Sequence, residues 1–351
     1  MMPPLALADL PQLIQSESEL EELLTRPSPE LIADIQQVRS PLLILGASGK
    51  MGPTMAVLAH RAAQLANHPL EVIAASRFSD PAKRAWLEAC GVKTIACDFL
   101  AQGGLRQLPD AENLIYLVGM KFGTDKDPAQ TWAINTLIPG RVTERYPHGR
   151  VVALSTGNVY PLSNPARGGS TETDPLVPLG EYGNASVGRE RLFEFGSRRD
   201  GTRVALLRLY YAVEMRYGVL VDIARKIHLG EPVELANGWF TCIWQGDANE
   251  MILRSLPLAS TPPTAWNLAR PCLYSVREVA TRLAVLLDRP VRFEGTESSS
   301  ALVGNSARLC DRLGPPRTPI DLILKWTAQW VRANGCHLSK PTHFEVRDGK
   351  Y

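Results

Sequence analysis

The sequence predicts an α/β fold: a doubly wound parallel sheet with a smaller C-terminal lobe and an N-terminal helical extension. Short apolar runs alternate with helical patterns from residue 41 onward, a rhythm typical of parallel strands joined by helices. The runs lack the polar alternation of a half-exposed strand, which indicates helices on both faces of the sheet. A glycine-rich turn follows the first run, as in sheets that bind dinucleotides.

The extension before the sheet, residues 1–40, is rich in Glu, Ser and Pro. Ser16 and Glu19 form a capping box before the run LEELL, and Ser28 with Pro29 is an N-cap and first-turn pair before ELIADIQQV. We therefore expect two short helices. They would act as a packing arm or as a dimer contact.

Six apolar runs are expected to form the parallel strands. In chain order they read LLIL from residue 42, VIAAS from 72, TIACD from 94, LIYLV from 114, VVALS from 151 and VALLRL from 204. They define a Rossmann-type domain over residues 41–209, to which a segment near 238–256 returns. Residues 210–340 form the expected substrate lobe, with helices near 275–287 and 319–334, and residues 341–351 form a tail.

Composition and charge exclude several classes of protein. The 38 Lys+Arg and 36 Asp+Glu are scattered rather than gathered into a basic stripe, so nucleic acid is not an expected partner. The six cysteines include no CxxC pair and the six histidines no metal-ligand spacing, which fits reduced thiols and no metal. No signal peptide or window of roughly 20 apolar residues is present. We expect a soluble cytoplasmic protein without a membrane partner.

The turn after the first run carries Gly46, Gly49 and Gly52 in the sequence LLILGASGKMGP. Glycines without Cβ atoms let a pyrophosphate approach the backbone, and the next helix offers free N–H groups at its start. The intervening residues Ser48, Lys50 and Met51 join the predicted cofactor site. The alternative is a turn whose glycines serve packing alone.

Residues after the later runs extend this predicted cofactor site. Ser76 and Arg77 stand where an NAD-binding chain is expected to carry a carboxylate, and arginine suits a 2′-phosphate, so NAD(P) is expected with NADP favoured over NAD. The alternative is an Arg77 that only caps the strand in solvent. The other candidates, each following a run, are Asp98 and Phe99 beside the adenine, Gly119 beside the ribose and nicotinamide, and Lys121, a substrate contact or a surface lysine.

The segments LSTGNVYP (154–161) and EYGNASVGRE (181–190) resemble the extended short-chain dehydrogenase/reductases, in their NAD-dependent epimerase/dehydratase branch. Further similarity lies in WAINTLIPG (132–140) and in YSVREVATRLAVLL followed by PVRFEG. The resemblance spans about residues 41–335. It implies a Rossmann fold, a homodimer and an enzyme acting on a small sugar-derived substrate.

By this resemblance, Thr156 matches the hydroxyl that binds the substrate oxygen, Tyr182 the catalytic tyrosine that also contacts the cofactor, and Asn135 a helix asparagine of the site. The family's lysine four residues after the tyrosine is replaced by Ser186. Arg189, Lys121 or the charge of the oxidised nicotinamide are the candidate replacements for its positive charge, because a phenol with a pKa near 10 is a poor base at neutral pH.

The substrate pattern also departs from the family. Phe240 stands where nucleotide-sugar enzymes carry a diphosphate-binding arginine, and Tyr210-Tyr211 replace an asparagine, which both argue against a nucleotide sugar. Asn158 and Arg216 join Lys121 and Thr156 as candidate substrate contacts, although an arginine such as Arg216 is often only salt-bridged.

The predicted function is that of an NAD(P)-dependent oxidoreductase or epimerase acting on a hydroxyl or keto carbon. The alternative is a dinucleotide-binding sensor or scaffold that has lost the reaction, as the absent lysine would suggest.

Overall fold

The computed structural model describes residues 4–5, 7–338 and 342–350, so the first residues of the extension and both ends of the tail lie outside it. The strands are Leu42–Leu45 (β1), Val72–Ser76 (β2), Lys93–Ala96 (β3), Asn113–Tyr116 (β4), Arg150–Thr156 (β5), Arg203–Leu209 (β6), Tyr211–Val213 (β7), Val233–Glu234 (β8), Trp239–Phe240 (β9), Cys242–Trp244 (β10), Thr264–Leu268 (β11), Tyr274–Ser275 (β12) and Phe293–Glu294 (β13). The helices are Glu17–Leu24 (α1), Pro29–Ile35 (α2), Gly52–Leu65 (α3), Pro81–Ala89 (α4), Pro128–Trp132 (α5), Ile138–Arg145 (α6), Gly180–Asp200 (α7), Val219–Leu229 (α8), Gln245–Arg254 (α9), Val276–Leu287 (α10), Ala307–Leu313 (α11) and Ile320–Arg332 (α12).

The central sheet has seven strands in the order β11-β6-β5-β4-β1-β2-β3, and each neighbouring pair is parallel. The predicted doubly wound α/β fold is therefore confirmed. Strand order reverses between β1 and β4, which opens a crevice at the carboxyl ends of these two strands. The six predicted runs all contribute strands, and β11 is a seventh that the sequence analysis did not include.

The two faces of the sheet carry separate hydrophobic cores. One face packs against α2, α3 and α9, with core residues such as Leu31, Met55 and Ile252. The other packs against α6 and α7, with core residues such as Val142 and Phe193. These two layers explain why most strands are apolar throughout. Strand β3, at the sheet edge, differs because its residues are exposed or half-buried.

The C-terminal lobe is built on α8, α10 and α12, which share a third core. Its β-structure consists of two-residue and three-residue pairings rather than a second large sheet. Phe240 and Trp244 are almost fully buried, so both side chains belong to the core of this lobe. Helix α9 leaves the lobe and packs on α2 and α3 of the sheet domain.

The two predicted helices of the N-terminal extension are present with the predicted caps. The Ser16 hydroxyl accepts a hydrogen bond from the Glu19 N–H at 3.2 Å, and the Ser28 hydroxyl accepts one from the Leu31 N–H at 2.9 Å. Helix α1 packs its leucines into the core of the C-terminal lobe, whereas α2 packs on the sheet domain. Across the described residues no helix is long and apolar enough to cross a membrane.

Candidate active site

Two adjoining cavities lie in the crevice where the strand order reverses. We call them the Tyr182 cavity, of about 250 Å³, and the Arg77 cavity, of about 220 Å³. They share four wall residues: Gly46, Gly49, Leu117 and Gly119. These come from the loops after β1 and β4, so a single elongated ligand lying across the sheet edge could occupy both cavities.

The glycine turn brings the backbone of β1 against the loop after β4. Gly46 has φ +84°, and a Cβ at this position would lie 2.9 Å from the Val118 nitrogen. A Cβ on Gly52 would lie 2.4 Å from the Ala47 carbonyl oxygen, so only glycine permits α3 to start this close to the turn. The turn thus exposes backbone without Cβ atoms at the N-terminus of α3, an arrangement that fits the pyrophosphate of a dinucleotide.

The Arg77 cavity contains the residues predicted to follow β2 and β3. Its wall includes Ser48, Ser76, Arg77, Asp98 and Phe99. The Ser48 and Ser76 hydroxyl oxygens are 2.5 Å apart, and Asp98 accepts a hydrogen bond from the Leu100 N–H at 2.9 Å. The Arg77 side chain is exposed and has no hydrogen-bond or ion-pair partner within the described part of the chain.

A lysine from α4 adds a second positive charge beside this cavity. Lys83 donates a hydrogen bond to the Ser48 carbonyl oxygen at 3.1 Å. The sequence analysis did not single out this residue, because it lies in the first turns of a helix rather than directly after a strand.

The Tyr182 cavity joins the predicted hydroxyl and phenol. Thr156 ends β5 and Tyr182 lies in the first turn of α7, and each is 8 % exposed. Both side chains line the cavity. A Cβ on Gly183 would lie 2.8 Å from the Asn158 carbonyl oxygen, so the glycine after Tyr182 lets α7 start close to the turn after β5.

Arg189 extends from the same helix toward the loop after β4. Its guanidinium donates to the Leu154 carbonyl oxygen at 2.9 Å and to the side-chain oxygen of Asn135. A Cβ on Gly119 would lie 2.5 Å from this guanidinium, so the glycine after β4 leaves room for it. The residue is 4 % exposed and lines the Tyr182 cavity. A buried positive charge is therefore present on the helix that carries Tyr182.

Asn135 lies in a π-helical turn, Ala133–Leu137, between α5 and α6. Its amide donates to the Thr131 and Met120 carbonyl oxygens at 2.9 and 3.1 Å. The asparagine thereby joins the loop after β4 to Arg189, and the cavity walls do not include it. Its position is that of a residue that holds the guanidinium in place.

Two lysines complete the basic lining of the Tyr182 cavity. Burial lowers the pKa of Lys50 to about 7, and the Glu214 carboxylate partly opposes this shift. Burial likewise lowers the pKa of Lys121 to about 8. Both residues were expected at the site from the sequence.

Other candidates lie away from the cavities. Arg216 forms ion pairs with Glu214, Glu17 and Glu21, and the walls of both cavities exclude it. Its predicted substrate contact is thus replaced by a structural role, because three carboxylates already surround it. Asn158 also lines neither cavity. It lies in the short helical turn Gly157–Val159, directly after Thr156.

The structure adds wall residues that the sequence analysis missed. They include Ser155, Tyr217 and Thr342, together with Tyr210 and Tyr211, which were noted only as replacements. Ser155 could have been found by its place beside Thr156. Tyr217 and Thr342 follow no strand of the central sheet and match no motif, and Thr342 comes from the tail.

No family model matches the chain, and no curated protein matches it. Solved structures do. UDP-glucuronic acid 4-epimerase from Bacillus cereus in complex with NAD aligns with a TM-score of 0.68 at 15 % identity, over 83 % of this chain and 96 % of that one. MoeE5 in complex with UDP-glucose and NAD aligns with a TM-score of 0.66 at 20 % identity, over 84 % and 99 %.

The UDP-glucose 4-epimerase of Thermus thermophilus, also in complex with NAD, aligns with a TM-score of 0.66 at 17 % identity, over 84 % of this chain and 99 % of that one. These similarities span nearly the whole of each solved chain. They confirm the fold that the resemblance to extended short-chain dehydrogenase/reductases implied.

Proposed function

We propose that the protein is an NAD(P)-dependent oxidoreductase or epimerase acting on a hydroxyl or keto carbon of a small sugar-derived molecule. One observation carries this proposal. Thr156, Tyr182 and Arg189 line the Tyr182 cavity, and the glycine turn after β1 lines both this cavity and the adjoining Arg77 cavity. The solved structures of similar fold include NAD complexes of sugar epimerases, which supports the same class of chemistry.

The residues of the crevice fit a dinucleotide. Gly46, Gly49 and Gly52 would hold the pyrophosphate, and Ser76, Arg77 and Asp98 the adenosine half, with Gly119 beside the nicotinamide ribose. A bound nicotinamide supplies the hydride acceptor or donor. The exposed guanidinium of Arg77 and the Lys83 ammonium beside Ser48 favour a 2′-phosphate, and hence NADP over NAD.

In the proposed mechanism, the Thr156 hydroxyl binds the reacting oxygen and the Tyr182 phenol exchanges a proton with it. The phenolate form is a strong base but is rarely populated at neutral pH. The Arg189 guanidinium, fixed by Asn135 and the Leu154 carbonyl, would place a positive charge in the wall of the same cavity, where it would favour negative charge that develops on the phenol oxygen.

The first test is Tyr182→Phe. We expect turnover of an identified sugar-derived substrate to fall by at least about 100-fold, the usual contribution of a positioned proton donor. Affinity for NADP and NAD should change little, since the ring is kept. Turnover rates and fluorescence titration of each dinucleotide measure the two effects.

The matched control is Tyr274→Phe, which removes a phenol of the C-terminal lobe core outside the cavity. It should keep wild-type turnover. Full activity in Tyr182→Phe would refute the assigned base. Dinucleotide binding by the wild type without hydride exchange on any sugar, sugar acid or ketone would instead favour a sensor.

A further inference from the structure

The tail of the chain returns to the candidate active site. We call its described residues, 342–350, the tail segment. Thr342, the first of them, lines the Tyr182 cavity and is 1 % exposed. Its N–H and its hydroxyl donate to a carboxylate oxygen of Asp222 at 2.9 and 2.5 Å. Asp222 belongs to α8, so one wall residue of the cavity is fixed to the C-terminal lobe.

The rest of the tail segment is held on the C-terminal lobe by a buried ring and by polar contacts. The Phe344 side chain is fully buried in the lobe core. Glu345 pairs with Lys226 of α8 at 2.7 Å. Arg347 donates to the Ser300 carbonyl oxygen at 2.6 Å and to the Ser300 hydroxyl at 2.9 Å. Contacts along its length thus set the position of the segment on this lobe.

The tail segment also contacts the sheet domain at two places. The His343 ring lies 6.3 Å, centroid to centroid, from the ring of Phe122 in the loop after β4. A Cβ on Gly349 would lie 2.4 Å from the Leu179 carbonyl oxygen, and a Cβ on Gly180 would lie 2.2 Å from the Gly349 carbonyl oxygen. The two glycines therefore let one backbone pack directly against the other at the start of α7.

Both places adjoin elements that supply the cavity wall. Phe122 follows the wall residue Lys121, and Gly180 precedes Tyr182 by two positions. The tail segment thus extends from the loop after β4 to the start of α7 while it stays attached to the C-terminal lobe. Separation of this lobe from the sheet domain would have to break these packing contacts.

The proposed function places the nicotinamide in the same cavity. Gly119, Tyr182 and Thr342 all line this space of about 250 Å³. Closing an active site keeps water away from the reacting groups and prevents side reactions. A wall residue on a segment that contacts both domains is suited to this purpose.

We propose that the tail segment closes the Tyr182 cavity over the bound nicotinamide and shields this ring from solvent, with Thr342 as the wall residue that it contributes. The inference rests on the proposed function, because it concerns the cavity that holds the nicotinamide there. It gives a role to a part of the chain beyond the family resemblance, which spans about residues 41–335.

The test is the quenching by acrylamide of the fluorescence of NADPH bound to the full chain. Gly349→Ala places a Cβ against the Leu179 carbonyl and should detach the segment from α7. Phe344→Ala removes the ring that anchors the segment in the lobe core. Each variant should raise the quenching constant of bound NADPH by about 2-fold or more, because the ring becomes accessible to solvent. NADPH affinity should change by less than about 3-fold, since the glycine turn is unaltered.

Each variant has a matched control. Gly295→Ala changes another glycine with positive φ, at a position where an added Cβ meets no described atom within 4 Å. Phe240→Ala removes a fully buried ring of the same lobe core that lines neither cavity. Both controls should keep the wild-type quenching constant. Gly349→Ala leaves the lobe core intact, so the test does not require Phe344→Ala to fold.

The inference is overturned if both tail variants keep the wild-type quenching constant. It is also overturned if the controls raise this constant as much as the tail variants do, because exposure of the ring would then follow from lost stability or local strain. Failure of the wild type to bind either NADPH or NADH, measured in a separate titration, would instead refute the proposed function itself.

Discussion

Ser186 occupies the position where the resembling family carries its lysine, and its side chain is fully buried. Its hydroxyl has no hydrogen-bond partner among the described residues, and the same holds for the Nε of Arg189, three positions later on α7. Residues three apart on a helix are neighbours. The buried positive charge of this helix thus lies at position 189, one turn beyond the position that the resemblance assigns to a lysine.

We therefore expect that positions 186 and 189 cannot both carry a positively charged side chain without a loss of stability. Ser186→Lys should lower the free energy of unfolding by about 3 kcal/mol or more, because it buries an amine beside a guanidinium. Arg189→Met should cut turnover by at least about 100-fold. The double variant should unfold less easily than Ser186→Lys and turn over faster than Arg189→Met. Urea unfolding and steady-state kinetics measure these effects.

Ser186→Lys adds side-chain volume as well as charge. Ser186→Met is the control, because it adds a side chain of similar size without a charge. If this variant destabilises the protein as much as Ser186→Lys, bulk rather than charge is responsible. If the double variant turns over substrate no faster than Arg189→Met, a lysine at position 186 does not replace the charge of Arg189, and the prediction is wrong.

Arg77 predicts the choice between the two dinucleotides. Its guanidinium is exposed beside the Ser48 and Ser76 hydroxyls. Arg77→Glu should weaken NADP by about 10- to 100-fold, through loss of a charge-assisted contact, and leave NAD equal or tighter. Parallel fluorescence titrations measure both. The control is Arg312→Glu, which reverses an exposed charge on α11 and should change neither affinity. If Arg77→Glu weakens the binding of NADP and NAD equally, Arg77 does not recognise a 2′-phosphate.

At the scale of elements, α7 is fixed to the sheet by a buried ion pair. Glu190 accepts hydrogen bonds from Arg208 of β6 at 2.7 and 3.0 Å, and from the Ser155 hydroxyl at 2.6 Å. The two side chains of the pair are 4 % and 6 % exposed. Since Ser155 precedes Thr156, this network sets the position of the cavity hydroxyl relative to the helix that carries Tyr182.

Glu190→Gln is therefore expected to lower the free energy of unfolding by about 3 kcal/mol, because it leaves the Arg208 charge buried without its counterion. Turnover should fall as well, since the Thr156 and Tyr182 elements lose their common anchor. Urea unfolding followed by circular dichroism measures the first effect.

The matched control is Glu297→Gln, which breaks the exposed pair with Arg277 and should change stability by less than about 1 kcal/mol. Equal effects of the two substitutions would show that the buried pair has no special importance.

Elements with strong local signals were predictable from the sequence, and elements defined by distant contacts were not. The strands β1, β2, β5 and β6 follow from largely apolar runs, and the caps of α1 and α2 from single Ser residues. Strand β11 reads TAWNL, and its Asn267 breaks the apolar pattern because the amide is buried in a hydrogen-bond network with Tyr160 and Ser170. Such pairing leaves no trace in local sequence.

The same division holds for the site. The glycine turn, Thr156 and Tyr182 are placed by motif spacing, so the sequence could locate them. Thr342 reaches the cavity because the tail folds back and bonds to Asp222 of α8, across 120 residues of chain. Two of the three salt bridges of Arg216 come from Glu17 and Glu21 of α1, in the extension. Both facts depend on tertiary packing alone.

At the scale of the whole molecule, the N-terminal extension connects the two lobes. Helix α1 contributes Leu20, Leu23 and Leu24 to the core of the C-terminal lobe. Helix α2 contributes Leu31 and Ile35 to the core of the sheet domain.

Polar contacts strengthen this connection. The Ser28 hydroxyl donates to Glu250 of α9 at 2.6 Å, and Arg317 donates to Glu30 at 3.2 Å and to Glu250 at 3.1 Å. Arg254 pairs with Asp34 at 2.7 Å. The extension therefore lies where movement of one lobe relative to the other would have to break its packing.

This position predicts that the extension is part of one cooperative unit. Leu24→Ala removes a side chain that is 1 % exposed and should lower the free energy of unfolding by about 2–5 kcal/mol, the usual cost of such a cavity. Circular dichroism and the fluorescence of the buried Trp244 and Trp326 should report the same reduced urea midpoint, since both lobes unfold together. Leu13→Ala, at a 43 % exposed leucine, should leave the midpoint nearly unchanged. A detachable arm would behave differently: Leu24→Ala would then match Leu13→Ala, and the two probes would keep the wild-type transition.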